Sequence, residues 1–302
     1  MGFIQKYMNQ VNLLLEVIPS VAKENCFALK GGSAINMFYQ NLPRLSVDLD
    51  LVYLPVEERE KSYKNINAAL MRIKNLLSAR KYEAILQGNN EKKIICSNDF
   101  ATVKIEPNYT IRGCLIEPKI REVTSNVQEN FAYAKMKVLA VEELYAGKIC
   151  AALDRQHPRD LFDIKLLFDK FGGISDKMLS CFIVYALGHN RPLHELLDCS
   201  AKDNSDVYEK EFMGMTDENV TYNELIDTLN FLKMELKKRL VPFKDFLLDF
   251  VRLNADFSIF PFTNISELPA IKWKVKNLET LALNDKEKFD LQYTKLKLYF
   301  MA

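Results

Sequence analysis

The chain has 302 residues, 48 % apolar and 27 % charged, which is typical of a globular protein with two ordinary domains or one large one. A net charge of +1 excludes a strong overall attraction to nucleic acid, although it leaves room for a local basic surface. Six scattered cysteines without a C-x-x-C pair, and only three histidines, argue against structural disulfides and against zinc. No apolar stretch approaches the ~20 residues that span a bilayer, and the N-terminus lacks a signal-peptide layout, so we expect a cytoplasmic protein without membrane contact.

Helical and strand patterns alternate in the first half of the chain. Apolar residues at helical spacing predict helices within 3–24 and within 57–80. The apolar run at 27–29 predicts a strand that ends in a glycine turn, and a helix is expected from Ala34. Strand patterns follow at five segments: 47–53, 82–86, 93–96, 102–107 and 114–120.

From Val141 onward the pattern is almost wholly helical. Two helices are predicted around Gln156-His157-Pro158, and Phe171-Gly172-Gly173 is the expected domain boundary. The predicted fold is therefore an α/β (or α+β) domain at 1–172, followed by a helical bundle domain at 173–302. The predicted helices of this half are 141–153, 159–171, 178–187, 222–238, 241–253 and 278–300.

The turn at Gly31-Gly32-Ser33 is the first candidate functional element. Two glycines between a strand and a helix allow a sharp turn and a close approach to a ligand. The free N–H groups at the start of the helix suit an anion such as a triphosphate. An ordinary strand-to-helix turn is the alternative interpretation, and Gly-Gly-Ser alone does not decide between the two.

Asp48 and Asp50 form the second candidate element. Residues two apart on a strand share one face, about 6.6 Å apart along the backbone, so both carboxylates lie together while Leu49 and Leu51 enter the core. A divalent cation relieves their repulsion, and magnesium favours one or two carboxylates plus substrate phosphates. The alternative is a solvated strand with outward acidic residues.

A third carboxylate is expected on a neighbouring strand to complete a metal site or to act as a base. Glu106 is the candidate, because the alternation of 102–106 places it on one face with Lys104 and opposite Val103 and Ile105. An exposed strand glutamate is the alternative. A phosphate-binding turn followed by two or three carboxylates predicts a site for a magnesium–NTP complex.

These residues resemble the opening motif of the DNA polymerase β-type nucleotidyltransferase superfamily. The stretch R-L-S-V-D-L-D, with Arg44 and Ser46 ahead of the aspartates, is similar to the AbiEii/AbiGii toxin family. The resemblance implies a mixed sheet flanked by helices, metal binding by Asp48 and Asp50, and nucleotide binding by Gly31, Gly32, Ser33, Arg44 and Ser46.

A second charged cluster lies near 148–163. Lys148 and Arg155 are two helical turns apart on one face, and Asp160 and Asp163 are neighbours on the next helix. Such a cluster can be a helix–helix salt-bridge network, or it can bind nucleotide phosphates through Lys148, oriented by Asp160, with Arg155 or Arg159.

The spacing of this cluster also resembles the later AbiEii motif, approximately K-x-x-A-x-x-x-R-x-x-x-R-D-x-x-D, with Ala151 at the alanine. The resemblance covers roughly residues 27–170. It implies transfer of a nucleoside monophosphate from an NTP, with pyrophosphate as leaving group, and catalytic roles for Asp48, Asp50, Lys148 and Asp160.

The acceptor is left open by the sequence. Toxins of this type suggest RNA, specifically tRNA, and an antitoxin protein encoded nearby. A small molecule or protein acceptor, or a non-catalytic nucleotide-binding or scaffold protein, are the alternatives. A set of basic residues in the C-terminal part could bind RNA, or could simply form the solvated faces of helices. These residues are Lys237, Lys238, Arg239, Lys244, Lys272, Lys274 and Lys276.

Overall fold

The first half of the chain folds around a mixed sheet. The computed structural model describes residues 5–301, and within them seven strands form one sheet. The strands are β1 (Phe27–Lys30), β2 (Asp48–Tyr53), β3 (Glu83–Gln87), β4 (Lys93–Ser97), β5 (Thr102–Asn108), β6 (Lys119–Glu122) and β7 (Lys135–Val138). Their order is β3-β4-β5-β2-β1-β7-β6, with β2–β5 and β1–β7 parallel and the other pairs antiparallel.

Four helices accompany the sheet, and two of them pack on it through buried apolar side chains. They are α1 (Gln5–Val21), α2 (Gly31–Phe38), α3 (Arg59–Ala79) and α4 (Ser125–Asn130). Helix α1 fully buries Leu14 and Ile18, and α3 fully buries Leu70 and Ile73. Because α1 packs on β5 and β7, and α3 on β3 and β4, these two helices bury strand side chains such as Ile105.

The later part of the chain is helical. Its helices are α5 (Val141–Asp154), α6 (Pro158–Phe171), α7 (Asp176–Leu187), α8 (Leu193–Leu197), α9 (Ser205–Val207), α10 (Tyr222–Leu240), α11 (Lys244–Val251), α12 (Pro269–Asn284) and α13 (Lys286–Tyr299). Pro158 occupies the first turn of α6, where its missing N–H is tolerated. Thr221 and Glu224 form a capping box that starts α10.

Long-range contacts divide the chain into two compact units. The sheet unit contains residues up to Leu144 together with Glu211–Asn219, and the helical unit contains Tyr145–Lys210 and the residues from Val220 on. Helix α6 packs on α10, so contacts group the 148–163 cluster with the later helices. Gly172, at φ 71°, ends α6 as a left-handed cap. The assignment of domains to 1–172 and 173–302 stays a prediction.

The predicted fold class, a sheet flanked by helices with helices after it, is confirmed. The sequence patterns miss α4 and β7, and the start of β6 is shifted. At 114–120 the ladder begins only at Lys119, because the N–H groups of Leu115 and Ile116 donate to the Glu143 carboxylate at 2.9 and 3.0 Å.

The helix predicted at 278–300 is two helices, because the chain breaks at Asp285. The side chain of Asp285 accepts from the Lys288 N–H and starts α13. Residues 3 and 4 of the first predicted helix lie outside the described residues. No helix within 5–301 is both long and apolar enough to cross a membrane.

Candidate active site

Both glycines of the turn are closely packed, and the backbone conformation of the first one favours glycine. Strand β1 ends at Lys30 and α2 begins at once with Gly31, whose φ of 74° is in the left-handed region. A β-carbon on Gly31 would collide with the carboxylate of Asp50. A β-carbon on Gly32 would lie 2.6 Å from Nη2 of Arg44 and 3.0 Å from Oγ of Ser46. The backbone at the start of α2 is thus packed against three polar side chains of the motif.

The serines and the arginine of the motif are buried supports of this turn. Arg44 is 2 % exposed, and its Nη1 donates to the carbonyl of Leu45 at 2.9 Å. The Ser33 hydroxyl lies within hydrogen-bonding distance of the Asp48 carbonyl and 3.0 Å from the Ser46 hydroxyl. Since these side chains are enclosed, they fix the turn relative to β2, and their predicted binding of nucleotide stays a prediction.

Asp48 and Asp50 share one face of β2, as the alternation predicts. Both aspartates are half-buried, whereas Leu49 and Leu51 are fully buried on the opposite face. In the parallel ladder with β5, Asp48 is paired with Lys104 and Asp50 with Glu106. The sheet therefore carries carboxylates on adjacent strands, about 4.8 Å apart from strand to strand.

Glu106 is next to Asp50 in register, but it also has a basic partner. Its Oε1 lies 2.8 Å from Nζ of Lys93, and both side chains are about one-third exposed. Within residues 5–301, no three His, Cys, Asp or Glu side chains are grouped as a metal site. Metal binding by Asp48 and Asp50, and by Glu106 as a third ligand, stays a prediction.

The second cluster is a buried ion network in the helical unit. Nζ of Lys148 on α5 lies 2.7 Å from Oδ1 of Asp160 and 2.9 Å from Oδ2 of Asp163, both on α6. Nε of Arg155 approaches Oδ2 of Asp160 at 2.6 Å. The side chains of Lys148, Asp160 and Asp163 are 7 %, 1 % and 0 % exposed, whereas Arg155 is 59 % exposed.

Opposite effects act on the pKa of Asp160. Burial raises it, but the charge of Lys148 and the hydrogen bonds and charge of Arg155 outweigh burial, so the pKa lies well below its usual range. Asp160 is therefore ionised at neutral pH. Lys148 is held between two carboxylates, which fixes the position of its ammonium. The predicted salt-bridge network is present, and a role in phosphate binding stays a prediction.

Arg159 lies in the first turn of α6, beside the residue that starts that helix. His157 accepts a hydrogen bond from the Arg159 N–H at 3.2 Å, and Nη2 of Arg159 lies 3.4 Å from Nε2 of His157. The predicted contact of Arg159 with a nucleotide stays a prediction.

Three lysines that the sequence analysis did not assign lie beside the carboxylates. Lys30 on β1 is in register with Asp50 on β2, and Lys104 on β5 is in register with Asp48. Lys93 contacts Glu106. The alternation of β5 could have singled out Lys104. Lys30 and Lys93 depend on strand register, which a single sequence does not encode in a readable way.

The comparison with solved structures bears on the fold. MenT4, a nucleotidyltransferase toxin from Mycobacterium tuberculosis H37Rv, is similar with a TM-score of 0.55 and 13 % identity, covering 91 % of this chain and 93 % of that one. This likeness shows a nucleotidyltransferase fold.

Two structures from Helicobacter pylori are also similar. A putative nucleotidyltransferase has a TM-score of 0.47 and 19 % identity, covering 78 % of this chain and 97 % of that one. JHP933 has a TM-score of 0.44 and 18 % identity, covering 79 % and 95 %. No curated protein matches the chain.

The family pattern is more specific than the fold. The family described as nucleotidyl transferase AbiEii toxin, type IV toxin–antitoxin system, matches residues 12–277. The chain belongs to this AbiEii family, and it is a nucleotidyltransferase. Membership implies an NTP substrate and an antitoxin partner.

Proposed function

We propose that this protein transfers a nucleoside monophosphate from an NTP to RNA in a magnesium-dependent reaction, with tRNA as the acceptor. The observation that carries the proposal is the packing of the Gly31 backbone, at the start of α2, against the Asp50 carboxylate. A helix start that suits phosphate and a carboxylate pair that suits magnesium thus occur side by side in the sheet unit. The family supplies the nucleotide substrate.

The donors on the sheet face fit magnesium. Asp48 and Asp50 supply half-buried carboxylate oxygens from one face of β2, and Glu106 is in register on β5. Magnesium takes oxygen ligands and binds through one or two carboxylates together with phosphates. When bound, it would neutralise phosphate charge and polarise the α-phosphorus.

The residues of the chain position the reactants. The N–H groups of Gly32 and Ser33, at the start of α2, would hold the β- and γ-phosphates. Arg44 would support this turn, since a β-carbon on Gly32 would lie 2.6 Å from its Nη2. We propose that Asp160 holds the Lys148 ammonium in position, and that Lys148, as the resemblance to the family motif implies, neutralises charge on the leaving pyrophosphate.

The basic residues expected to bind RNA are only partly available for it. Lys272 pairs with Glu267 at 2.6 Å, Arg239 pairs with Asp176 at 2.5 Å, and Nζ of Lys274 donates to the carbonyls of His189 and Arg191. Nζ of Lys237 lies 5.5 Å from the centre of the Tyr299 ring. Lys238, Lys244 and Lys276 are the other candidates. The preference for RNA therefore rests on the family resemblance, and acceptor identity is decided by experiment.

The test is transfer of label from each NTP. Purified protein is incubated with magnesium, one labelled NTP at a time, and total tRNA, beside the Asp48→Ala/Asp50→Ala double variant. Asp99→Asn, an exposed aspartate in the turn between β4 and β5, is the matched control. Label in RNA with the intact protein and the control, and none with the double variant, is the expected result.

Two other outcomes overturn parts of the proposal. Label that enters a protein or small molecule instead of RNA would reject the RNA acceptor and keep the transferase. NTP binding without transfer to any acceptor, or no NTP binding, would favour a non-catalytic protein. A helix-turn-helix protein encoded by the neighbouring reading frame is the expected antitoxin.

A further inference from the structure

Lys104 stands apart from the other lysines on the sheet face. It is exposed on β5 and is paired in register with Asp48. Lys93, on the neighbouring β4, is engaged by Glu106 at 2.8 Å. In the described range 5–301, the side chain of Lys104 forms no hydrogen bond or ion pair with another residue. Its ammonium is thus available to a ligand beside the carboxylate pair.

The order of the strands gives this face two sides. Strands β1 and β5 flank β2 on opposite sides. The glycine turn follows β1, and the Asp50 carboxylate packs against Gly31, so the phosphate-binding turn lies on the β1 side of the aspartates. Lys104 and Glu106 lie on the β5 side.

An in-line displacement assigns different reactants to these two sides. The hydroxyl that attacks the α-phosphorus approaches opposite the bond to the leaving pyrophosphate. If the pyrophosphate part is held at the glycine turn, the acceptor hydroxyl comes from the β5 side. The new phosphodiester bond forms there, the bond between the α-phosphorus and the bridging oxygen breaks, and the hydroxyl proton leaves to a base or water.

We infer that Lys104 binds a backbone phosphate of the RNA acceptor, next to the hydroxyl that attacks. This inference rests on the proposed function and adds the means by which the site recognises a nucleic-acid acceptor. A lysine ammonium is a compact charge suited to a phosphate oxygen, and a phosphate contact positions a strand without reading its sequence. A neutral small-molecule acceptor would gain nothing from this residue.

The experiment compares Lys104→Ala and Lys104→Arg with Lys119→Ala in the full chain. Lys119 is an exposed strand lysine on β6, at the far edge of the sheet, and is the matched control. The readouts are the KM for tRNA, the KM for NTP, and tRNA binding by fluorescence anisotropy at several salt concentrations without NTP. Thermal unfolding checks that each variant is folded.

The expected result is selective for the acceptor. Lys104→Ala weakens tRNA binding about three- to tenfold and raises the KM for tRNA, and loss of one phosphate contact lowers the slope of log Kd against log salt by about 0.7. Lys104→Arg keeps most of the affinity for tRNA, and neither Lys104 variant changes the KM for NTP. Lys119→Ala binds tRNA and NTP as the intact protein does.

Two different failures are distinguishable. If the intact protein transfers no label to RNA, the proposed function fails and this inference fails with it. If the intact protein labels RNA but Lys104→Ala leaves tRNA binding and its salt dependence unchanged, or raises only the KM for NTP, this inference alone is overturned.

Discussion

The carboxylates of the sheet unit and those of the helical unit are in opposite environments. Asp48 and Asp50 are half-buried on a sheet face, and Asp50 lies beside Gly31, the residue at which α2 begins. Asp160 and Asp163 are enclosed and already paired with Lys148. The first pair can bind a cation and phosphates, whereas the charges of the second pair are already engaged by Lys148 inside the protein. Loss of the first pair should affect activity with the fold retained, and loss of the second should affect folding as well as the proposed positioning of Lys148.

Lys148→Met is predicted to give the largest loss of stability. The variant leaves two buried carboxylates without their shared cation, which lowers the free energy of unfolding by about 3–5 kcal/mol. Urea unfolding measures it. Lys165→Met, at a lysine of α6 that pairs with Asp169, is the control and should change stability by less than about 0.5 kcal/mol. Equal stability of both variants would show that the network contributes nothing to the helical unit.

Gly31→Ala is predicted to affect both stability and transfer. The left-handed φ and the collision with Asp50 together should lower the free energy of unfolding by about 1–3 kcal/mol and turn the carboxylate away. Gly172→Ala has a similar φ of 71° but open space around the added carbon, so it isolates the backbone strain. We expect reduced transfer in Gly31→Ala and not in Gly172→Ala. Equal transfer in both variants would contradict a role for the Asp50 carboxylate in transfer.

Acid should weaken the helical unit through Asp160. Its pKa is depressed in the folded state, so its stabilisation is present above the unfolded value of about 3.9 and is lost as pH falls below it. The free energy of unfolding should decline less steeply with falling pH in Asp160→Asn than in the intact protein. Asp206→Asn, an exposed aspartate, should keep the original slope. Equal slopes in all three proteins would contradict the attribution of this acid sensitivity to Asp160.

Arg155→Ala is predicted to have the smallest effect on stability. Its side chain is 59 % exposed, so its pair with Asp160 is screened by water, and Lys148 still neutralises that carboxylate. The loss should be below about 1 kcal/mol in urea unfolding. A loss as large as that of Lys148→Met would show that the exposed arginine carries the network.

Short-range patterns in the sequence predict the parts of the site that depend on neighbouring residues. The i, i+2 spacing places Asp48 and Asp50 on one face of β2. Helical spacing puts Lys148 and Arg155 on one face, and both contact Asp160 of the next helix. Burial could not be predicted in the same way. The sequence does not show that Arg44 is buried beside Gly32, and its predicted binding of nucleotide stays a prediction.

Long-range pairing explains what the sequence patterns missed. The pairing of Glu106 with Asp50 depends on the register between β2 and β5, which are separated by two other strands along the chain. The carboxylate of Glu143 withdraws Leu115 and Ile116 from a strand that their apolar character predicts. Both effects join residues that are distant in sequence, and periodicity reports only on near neighbours.

The most direct test of the central claim is single-turnover transfer by Asp48→Asn and Asp50→Asn, with magnesium and the labelled NTP that the intact protein uses. Removing a metal-binding carboxylate should slow transfer by about a thousandfold or more, while the thermal midpoint stays within about 2 °C because both side chains lie on the half-buried face. Transfer within tenfold of the intact protein in both variants would contradict a reaction centred on this sheet face.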